Sequence, residues 1–309
     1  MQRVAIVIPV YNEAAVLPEL FRRLAAVFDA TPGVRWRACL VDDGSADASA
    51  DLIEMQVRAD SRFTGLQLSR NFGHQAALSA GLAHVADADA VITMDADLQD
   101  PPELVPELVA AWQAGAEVVL AVRRSRRERG LRRLGFELFH RLFQSLSDQP
   151  IEPNTGTFGL LAKPATVAFT QLPEQHRFFP GLRAWVGFRR ATVTYDRQER
   201  AAGEPAQSLR RLVRYALDGI FSFSRLPLRM LTFAGIAIAC VGFAIGLYFA
   251  VKRLVGAEVA PTGFTTLVTL VLFIGGVQLI GIGVVGEYLG RIYDEVKRRP
   301  PYIVRRTID

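Results

Sequence analysis

The chain has 309 residues, a formal net charge of +5 and an isoelectric point near 9.5. Only two cysteines occur, Cys39 and Cys240, and neither a Gly-x-Gly-x-x-Gly nor a Walker phosphate-loop sequence is found. That argues against a disulfide-stapled secreted domain, a dinucleotide enzyme and a P-loop NTPase. A mean hydropathy of +0.19 with 22% charged residues is high for a soluble protein and hides a split. Residues 1 to about 225 carry the charge, and residues 231 to 286 are almost free of it. Basic residues cluster at 123–133, 183–214 and 291–306, beside the apolar segments. The expected partner is therefore an anionic bilayer or lipid, not nucleic acid.

The N-terminus runs straight into an apolar strand, Val4 to Pro9, so no cleavable leader is expected. Val16, Leu20, Leu24 and Val27 recur at helical spacing and predict a helix over Ala14 to Phe28. Residues 36–41 make a second strand, ending at Asp42-Asp43-Gly44-Ser45, and Ser49 to Arg58 a second helix. A short strand at Leu66 to Leu68 leads into Ser69-Arg-Asn-Phe-Gly-His-Gln75, then an Ala-rich helix, Ala76 to Val85. His74 is given no chemical role. Val91 to Met94 is a buried strand, cut off by Asp95-Ala96-Asp97, and Pro101-Pro102 suits the start of a helix over 103–114. A strand from Glu117 to Val122 follows. This alternation predicts an α/β domain with a mostly parallel sheet covered on both faces.

Open α/β sheets bind ligands beyond the carboxyl ends of their strands. Three predicted strands end there in acidic or amide clusters: Asn12-Glu13, Asp42-Asp43 and Asp95-Asp97. Side chains at i and i+2 of an extended segment point the same way. Asp95 and Asp97 can thus converge on one hard cation, Mg²⁺ or Mn²⁺, with Gln99 as a third oxygen. A lone Asp-x-Asp is more often an ordinary polar turn; the company of the other two clusters changes that reading. Asp42 or Asp43 can accept hydrogen bonds from a base or ribose.

Pro9-Val-Tyr-Asn-Glu13, Val41-Asp-Asp-Gly-Ser45, Arg70-Asn-Phe-Gly73 and Met94-Asp-Ala-Asp-Leu-Gln-Asp-Pro-Pro102 together resemble the family-2 glycosyltransferases of the GT-A (Rossmann-like) fold. The chain is most similar to the polyisoprenyl-phosphate group, the dolichol-phosphate-mannose-synthase-like enzymes and bacterial undecaprenyl-phosphate sugar transferases. The resemblance runs on through Arg183-Ala-Trp-Val-Gly-Phe188 to the end of the chain. It implies metal-dependent, inverting transfer of a sugar from a nucleotide sugar, a UDP-sugar foremost, to polyprenyl phosphate at the cytoplasmic leaflet. It implies nucleotide-sugar contacts at Pro9, Tyr11, Asn12, Glu13, Asp42, Asp43, Asn71, Asp95 and Ala96. Metal ligands are Asp95, Asp97 and Gln99, and catalysis falls to Asp95, Asp97, Arg123, Arg200 and Thr157. Lipid phosphate falls to Arg123, Arg132, Arg133, Arg200 and Arg210.

Three departures stand out. Thr157 occupies a position where bacterial relatives often carry Asp, Gly159 one where Arg is usual, and Pro205-Ala-Gln-Ser208 replaces a Ser-Lys-Tyr stretch. Arg210 or Arg211 can stand in for the lost lysine. A lipid monophosphate, with a second pKa of about 6, is mostly ionised at pH 7. Such a nucleophile needs positioning more than a base. These departures are the support for a rival reading, a non-catalytic nucleotide-sugar or lipid-phosphate binding protein. A second rival is a processive polysaccharide synthase or a glycosyltransferase with a soluble acceptor; the processive synthase is disfavoured because no Gln-x-x-Arg-Trp element is present.

Phe136 to Leu146 and Gln207 to Phe223 read as amphipathic helices, the second with Arg210, Arg211 and Arg214 opposite an apolar face. Leu231 to Val251 and Val259 to Gly286 are uncharged runs long enough to span a hydrocarbon core of about 30 Å. The expected organisation is a catalytic domain at 1–206, juxtamembrane helices at 207–229, two transmembrane helices at 230–288 and a basic tail at 289–309. Flanking arginines and lysines put both termini in the cytoplasm. Gly275, Gly276, Gly281, Gly283 and Gly286 form a small-residue face suited to helix packing within or between subunits. With the resemblance, this implies a homo-oligomer, for which a tetramer is one fitting size.

Overall fold

Strand β1 (Gln2–Val10) is an almost unbroken run of Val, Ile and Ala, buried from Val4 onward. Such a run belongs to a strand covered on both faces. The structure is a computed structural model and describes residues 1–124, 152, 154–175, 177–196, 226–255 and 263–309. These fall into two compact units, one of residues 1–219 and 299–309, the other of 220–298.

In the first unit, β1 is followed by α1 (Leu17–Asp29), β2 (Val34–Asp42), α2 (Ser49–Ala59), β3 (Phe63–Leu68), α3 (His74–His84) and β4 (Ala90–Thr93). A 3₁₀ turn at Pro102–Leu104 opens α4 (Val105–Gln113), and β5 (Val118–Arg123) follows. Then come β6 (Thr155–Ala162), α5 (Lys163–Thr170), α6 (Phe179–Trp185), β7 (Arg190–Tyr195) and, after the second unit, β8 (Val304–Ile308). One sheet holds all eight strands, in the order β7-β5-β6-β4-β1-β2-β3-β8. β1 is parallel to both β2 and β4, and β2 is parallel to β3. β6 runs antiparallel to β4 and β5, and β8 antiparallel to β3. The expected mostly parallel α/β sheet is thus present, with two reversed strands that the sequence analysis does not contain.

The predicted core positions of α1 (Val16, Leu20, Leu24 and Val27) are all buried. They meet the sheet through Phe21, Phe28, Trp36 and Phe63, with Phe28 stacked on Trp36 at 5.2 Å between ring centres. On another face, α3 lies against β1 and β2 at Gly81. A Cβ there would sit 2.3 Å from Val7 Cγ1 and 3.0 Å from Val41 Cγ2. Gly81 therefore sets how closely α3 approaches the strands that carry the site. Gly81→Ala is expected to lower stability by about 1–3 kcal/mol through overpacking. A chemical-denaturation midpoint equal to wild type would show that α3 and the valines can part at no cost.

The second unit contains α7 (Leu226–Leu254) and α8 (Phe264–Lys297). Phe233, Phe243, Phe273, Leu279 and Ile282 are each more than half exposed, the reverse of a soluble core helix. Among the described residues, Phe273–Lys297 is long and apolar enough to cross a membrane, and Leu231–Ile245 is a shorter apolar stretch. α8 begins later and ends later than the predicted run 259–286, and Arg298 closes it in a left-handed conformation (φ 49°). The predicted tail is partly this helix and partly β8. The helices predicted at 136–146 and 207–223 lie outside the described residues.

Candidate active site

Because β1, β2 and β4 are parallel neighbours, their carboxyl ends open on one edge of the sheet. Asp43 N–H donates to Val10 O (2.8 Å) and Met94 N–H to Val7 O (3.1 Å), carrying the ladder to the first loop residues. The loops after β1 and β2 are sewn together. Asn12, at φ 54°, accepts from Ala46 N–H (2.8 Å) through Oδ1 and donates its own N–H to Ser45 Oγ (3.0 Å). Glu13 N–H donates to Ser49 Oγ (3.0 Å) and Ala14 N–H to Asp47 Oδ2 (3.1 Å). Asn12 is thereby a loop organiser with its side-chain oxygen already engaged.

The two adjacent aspartates of β2 part company. Asp42 is buried and turned inward, accepting from Ser45 N–H (3.0 Å) and Gln67 Nε2 (3.1 Å). Asp43 accepts Phe72 N–H and Gly73 N–H, one on each oxygen, both at 2.8 Å. That carboxylate folds the Arg70–Gly73 loop over the edge. Burial raises its pKa above the usual aspartate value, the two amides only partly offset this, and the charge of Asp42 adds to the rise.

A cavity of about 240 Å³ lies between these loops. Of the predicted residues, Pro9, Tyr11, Glu13, Asp43, Asn71, Asp95, Ala96 and Asp97 line it. Asn12, Asp42 and Gln99 do not. Gln99 instead meets Asp97 through its backbone, donating N–H to Asp97 Oδ1 (3.1 Å). Leu98, between them, takes a left-handed φ of 59°, which turns the chain back tightly enough for that bond.

The lining also includes His74, which sequence reasoning set aside. His74 Nε2 lies 3.0 Å from Asp95 Oδ1. Thr157 Oγ1 donates to the same oxygen, also at 3.0 Å. Burial works against ionisation of Asp95, but His74, then Thr157 and the charge of Arg123, outweigh it and hold the carboxyl below the usual aspartate range. Burial likewise disfavours a charged His74, and Asp95, with Asp43 and Asp97 behind it, raises its pKa regardless. A lone histidine between a glycine and an Ala-rich helix carries no local signal of this. Its partner is 21 residues away.

Arg123 stands just off the cavity. Its Nε donates to Tyr195 Oη (3.0 Å), and Nη2 lies 3.5 Å from Asp100 Oδ1. Tyr195 Oη donates in turn to Asp100. Burial would lower the guanidinium pKa, but Asp100 and Tyr195 overcome this and raise it. Arg123 is therefore a fixed cation whose charge reaches Asp95. Asp100 and Tyr195 were not among the predicted site residues. Gly156, beside Thr157, sits against the Arg123 guanidinium, where a Cβ would come within 2.9 Å of Nη2. Arg132, Arg133, Arg200 and Arg210 lie outside the described residues.

The lining thus holds four carboxylates, Glu13, Asp43, Asp95 and Asp97, and one basic side chain, His74. Among the described residues no three His, Cys, Asp or Glu side chains form a complete cation site. Two carboxylates among the lining, Asp95 and Asp97, fit an ion that takes its remaining ligands from substrate phosphates and water, the habit of Mg²⁺.

Residues 5–165 match the model of Glycosyl transferase family 2, and residues 226–292 that of the GtrB C-terminal hairpin. An uncharacterized glycosyltransferase of Synechocystis is 43% identical over 97% of this chain and 94% of its own length. The prophage bactoprenol glucosyl transferase homolog of Escherichia coli is 39% identical over 99% of both chains. The undecaprenyl-phosphate 4-deoxy-4-formamido-L-arabinose transferase of Salmonella paratyphi A is 37% identical over 100% of this chain and 94% of that one. A mannosyltransferase from Pyrobaculum calidifontis, solved with GDP-Man and Mn²⁺, shares the fold with a TM-score of 0.50 over 95% of this chain and 87% of that one, at 15% identity. On the match to its catalytic half and on these full-length relatives, the chain belongs to glycosyl transferase family 2.

Proposed function

We propose that the protein is a hexosyltransferase that moves a sugar from a nucleotide sugar, a UDP-sugar foremost, to polyprenyl phosphate, with inversion. The observation that carries this reading is the carboxylate-lined cavity at the ends of β1, β2 and β4. A diphosphate brought against Asp95 and Asp97 alone would be repelled, so the site calls for a cation as well as a nucleotide. The names of the full-length relatives supply the acceptor class, bactoprenol and undecaprenyl phosphate.

Asp95 and Asp97, which both line the cavity, would hold the cation, and Gln99 would serve through the backbone bond that shapes the Asp97 turn. When bound, Mg²⁺ or Mn²⁺ supplies Lewis-acid neutralisation of the leaving diphosphate. Pro9, Tyr11, Glu13, Asp43, Asn71 and Ala96 receive the nucleotide sugar. An oxygen of the acceptor phosphate forms its bond to the anomeric carbon as the bond from that carbon to the diphosphate oxygen breaks, and the nucleoside diphosphate leaves. Arg123, Arg132, Arg133, Arg200 and Arg210 hold phosphate. Thr157 orients Asp95 in this scheme, and an already ionised acceptor needs no base.

We further infer that the protein resides in the membrane, with 1–206 cytoplasmic, 207–229 at the interface and 230–288 crossing twice. Both termini then lie on the cytoplasmic side, and the assembly is a homo-oligomer, for which a tetramer is one fitting size. Purified protein in detergent, given polyprenyl phosphate and a panel of UDP- and GDP-sugars, should charge the lipid from one donor. EDTA should stop turnover, and Mn²⁺ or Mg²⁺ should restore it. Nucleotide binding without glycolipid from any donor would defeat the transferase reading. Undiminished turnover in EDTA would defeat its metal dependence.

A further inference from the structure

Two donors from different parts of the fold converge on a single oxygen of Asp95. A carboxylate can only accept, so both His74 Nε2 and Thr157 Oγ1 donate to Oδ1, each at 3.0 Å. One carboxylate oxygen has about two acceptor sites, and these donors occupy both. Oδ2 receives no hydrogen bond from the described residues.

Each donor is itself held. His74 is the first residue of α3, directly after Gly73, whose N–H is bound by Asp43. Thr157 lies on β6, and its carbonyl accepts the Thr93 hydroxyl of β4. The reversed direction of β6 brings its first residues beside the carboxyl end of β4, where Asp95 begins the loop. The clamp therefore connects α3, β6 and the Asp95 loop, and Asp95 cannot turn both oxygens to one ion without breaking two hydrogen bonds.

We propose that His74 and Thr157 are positioning residues that restrict Asp95 to a single-oxygen ligand and so make the site discriminate against Ca²⁺ in favour of Mn²⁺ and Mg²⁺. This rests on the cation reading of Asp95 and Asp97 given above. Ca²⁺ takes six to eight oxygens at about 2.3–2.6 Å and uses carboxylates in either one- or two-oxygen fashion. Mg²⁺ demands near-octahedral ligands at about 2.0–2.1 Å. Locking one oxygen of Asp95 out of the coordination sphere removes a ligand the larger ion can use and the smaller one does not need. Partners that orient a metal ligand typically alter affinity by about 10–100-fold when removed.

The test is binding, not turnover. Mn²⁺ binding to the full chain in detergent is followed by the loss of the free aqueous Mn²⁺ electron paramagnetic resonance signal, with UDP or GDP present, and Ca²⁺ is titrated as competitor. His74→Leu and Thr157→Val should each narrow the preference for Mn²⁺ over Ca²⁺ by about tenfold. His74→Gln and Thr157→Ser, which keep an N–H and an O–H, should retain the wild-type ratio. A role confined to stability would shift melting in the first pair without moving the ratio. If wild type binds Mn²⁺ and all four variants keep its Mn²⁺ to Ca²⁺ ratio within twofold, the clamp is overturned and the cation reading survives. If wild type binds no Mn²⁺ with either nucleotide, the cation reading itself falls, and the clamp with it.

Discussion

Asp97→Asn should lower kcat/KM for sugar transfer by about 10³-fold and leave the fold intact. Asp97 is only 8% exposed, and its Oδ1 accepts the Gln99 N–H that shapes the turn through Leu98. An asparagine Oδ1 can accept the same bond, so the turn has no reason to open. The change removes the negative charge and keeps that bond. Electrostatic groups aimed at developing charge are worth about 10²–10³ in rate when deleted singly. As a ligand of the proposed cation, Asp97 should fall at the upper end, because its loss also weakens the ion's Lewis-acid contribution, itself several kcal/mol. Rate assays on matched preparations would check this, beside the thermal melt. A variant that melts like wild type and turns over within tenfold of it would remove Asp97 from the cation site.

The second large effect is expected at Gly44. Its φ is +71°, in the left-handed region, and a Cβ would meet backbone, lying 2.6 Å from Arg70 C and 2.7 Å from Asn71 N. An l-residue pays about 1–2 kcal/mol for that conformation alone. Backbone cannot step aside as a side-chain tip can, so the Arg70–Gly73 loop has to move. That loop brings Asn71 to the cavity and donates Phe72 and Gly73 N–H groups to Asp43. Gly44→Ala should therefore cost about 2 kcal/mol or more, roughly 4–8 °C in Tm for a domain of this size. It should also raise KM for the nucleotide sugar about tenfold. Lost stability with an unchanged donor KM would show that the loop's position does not matter to the nucleotide.

The carboxyl-end clusters were legible because each sits where an apolar run stops. The run lengths and the intervening helical periodicity together imply parallel neighbours. Strand β6 was not legible. Thr155-Gly-Thr-Phe-Gly carries two glycines, which weaken strand propensity, and reads locally as a turn. It is a strand because β4 and β5 present edges on either side of it. Strand β8 is harder still, with two arginines in five residues and exposure at all but Ile308. Asp42 and Asp43 are neighbours of the same type, and only the folded loops show that one faces Gln67 and the other the cavity. His74 gains its place from Asp95, a contact no local pattern encodes.

Strand β8 follows β3 in the sheet but trails it by about 240 residues in the chain. At 5–20 residues per second, ribosomal synthesis leaves the outer edge of β3 without its partner for roughly 10–50 s. Arg306 Nε donates to Gln67 Oε1, and Gln67 holds Asp42 beneath the site, so that interval also leaves the Asp42 loop without its outermost support. An open strand edge is a template for pairing with the wrong chain. The nascent protein thus has an interval in which α7 and α8 are already made while its sheet is still one strand short, and premature termination anywhere after β7 would make that exposed state permanent.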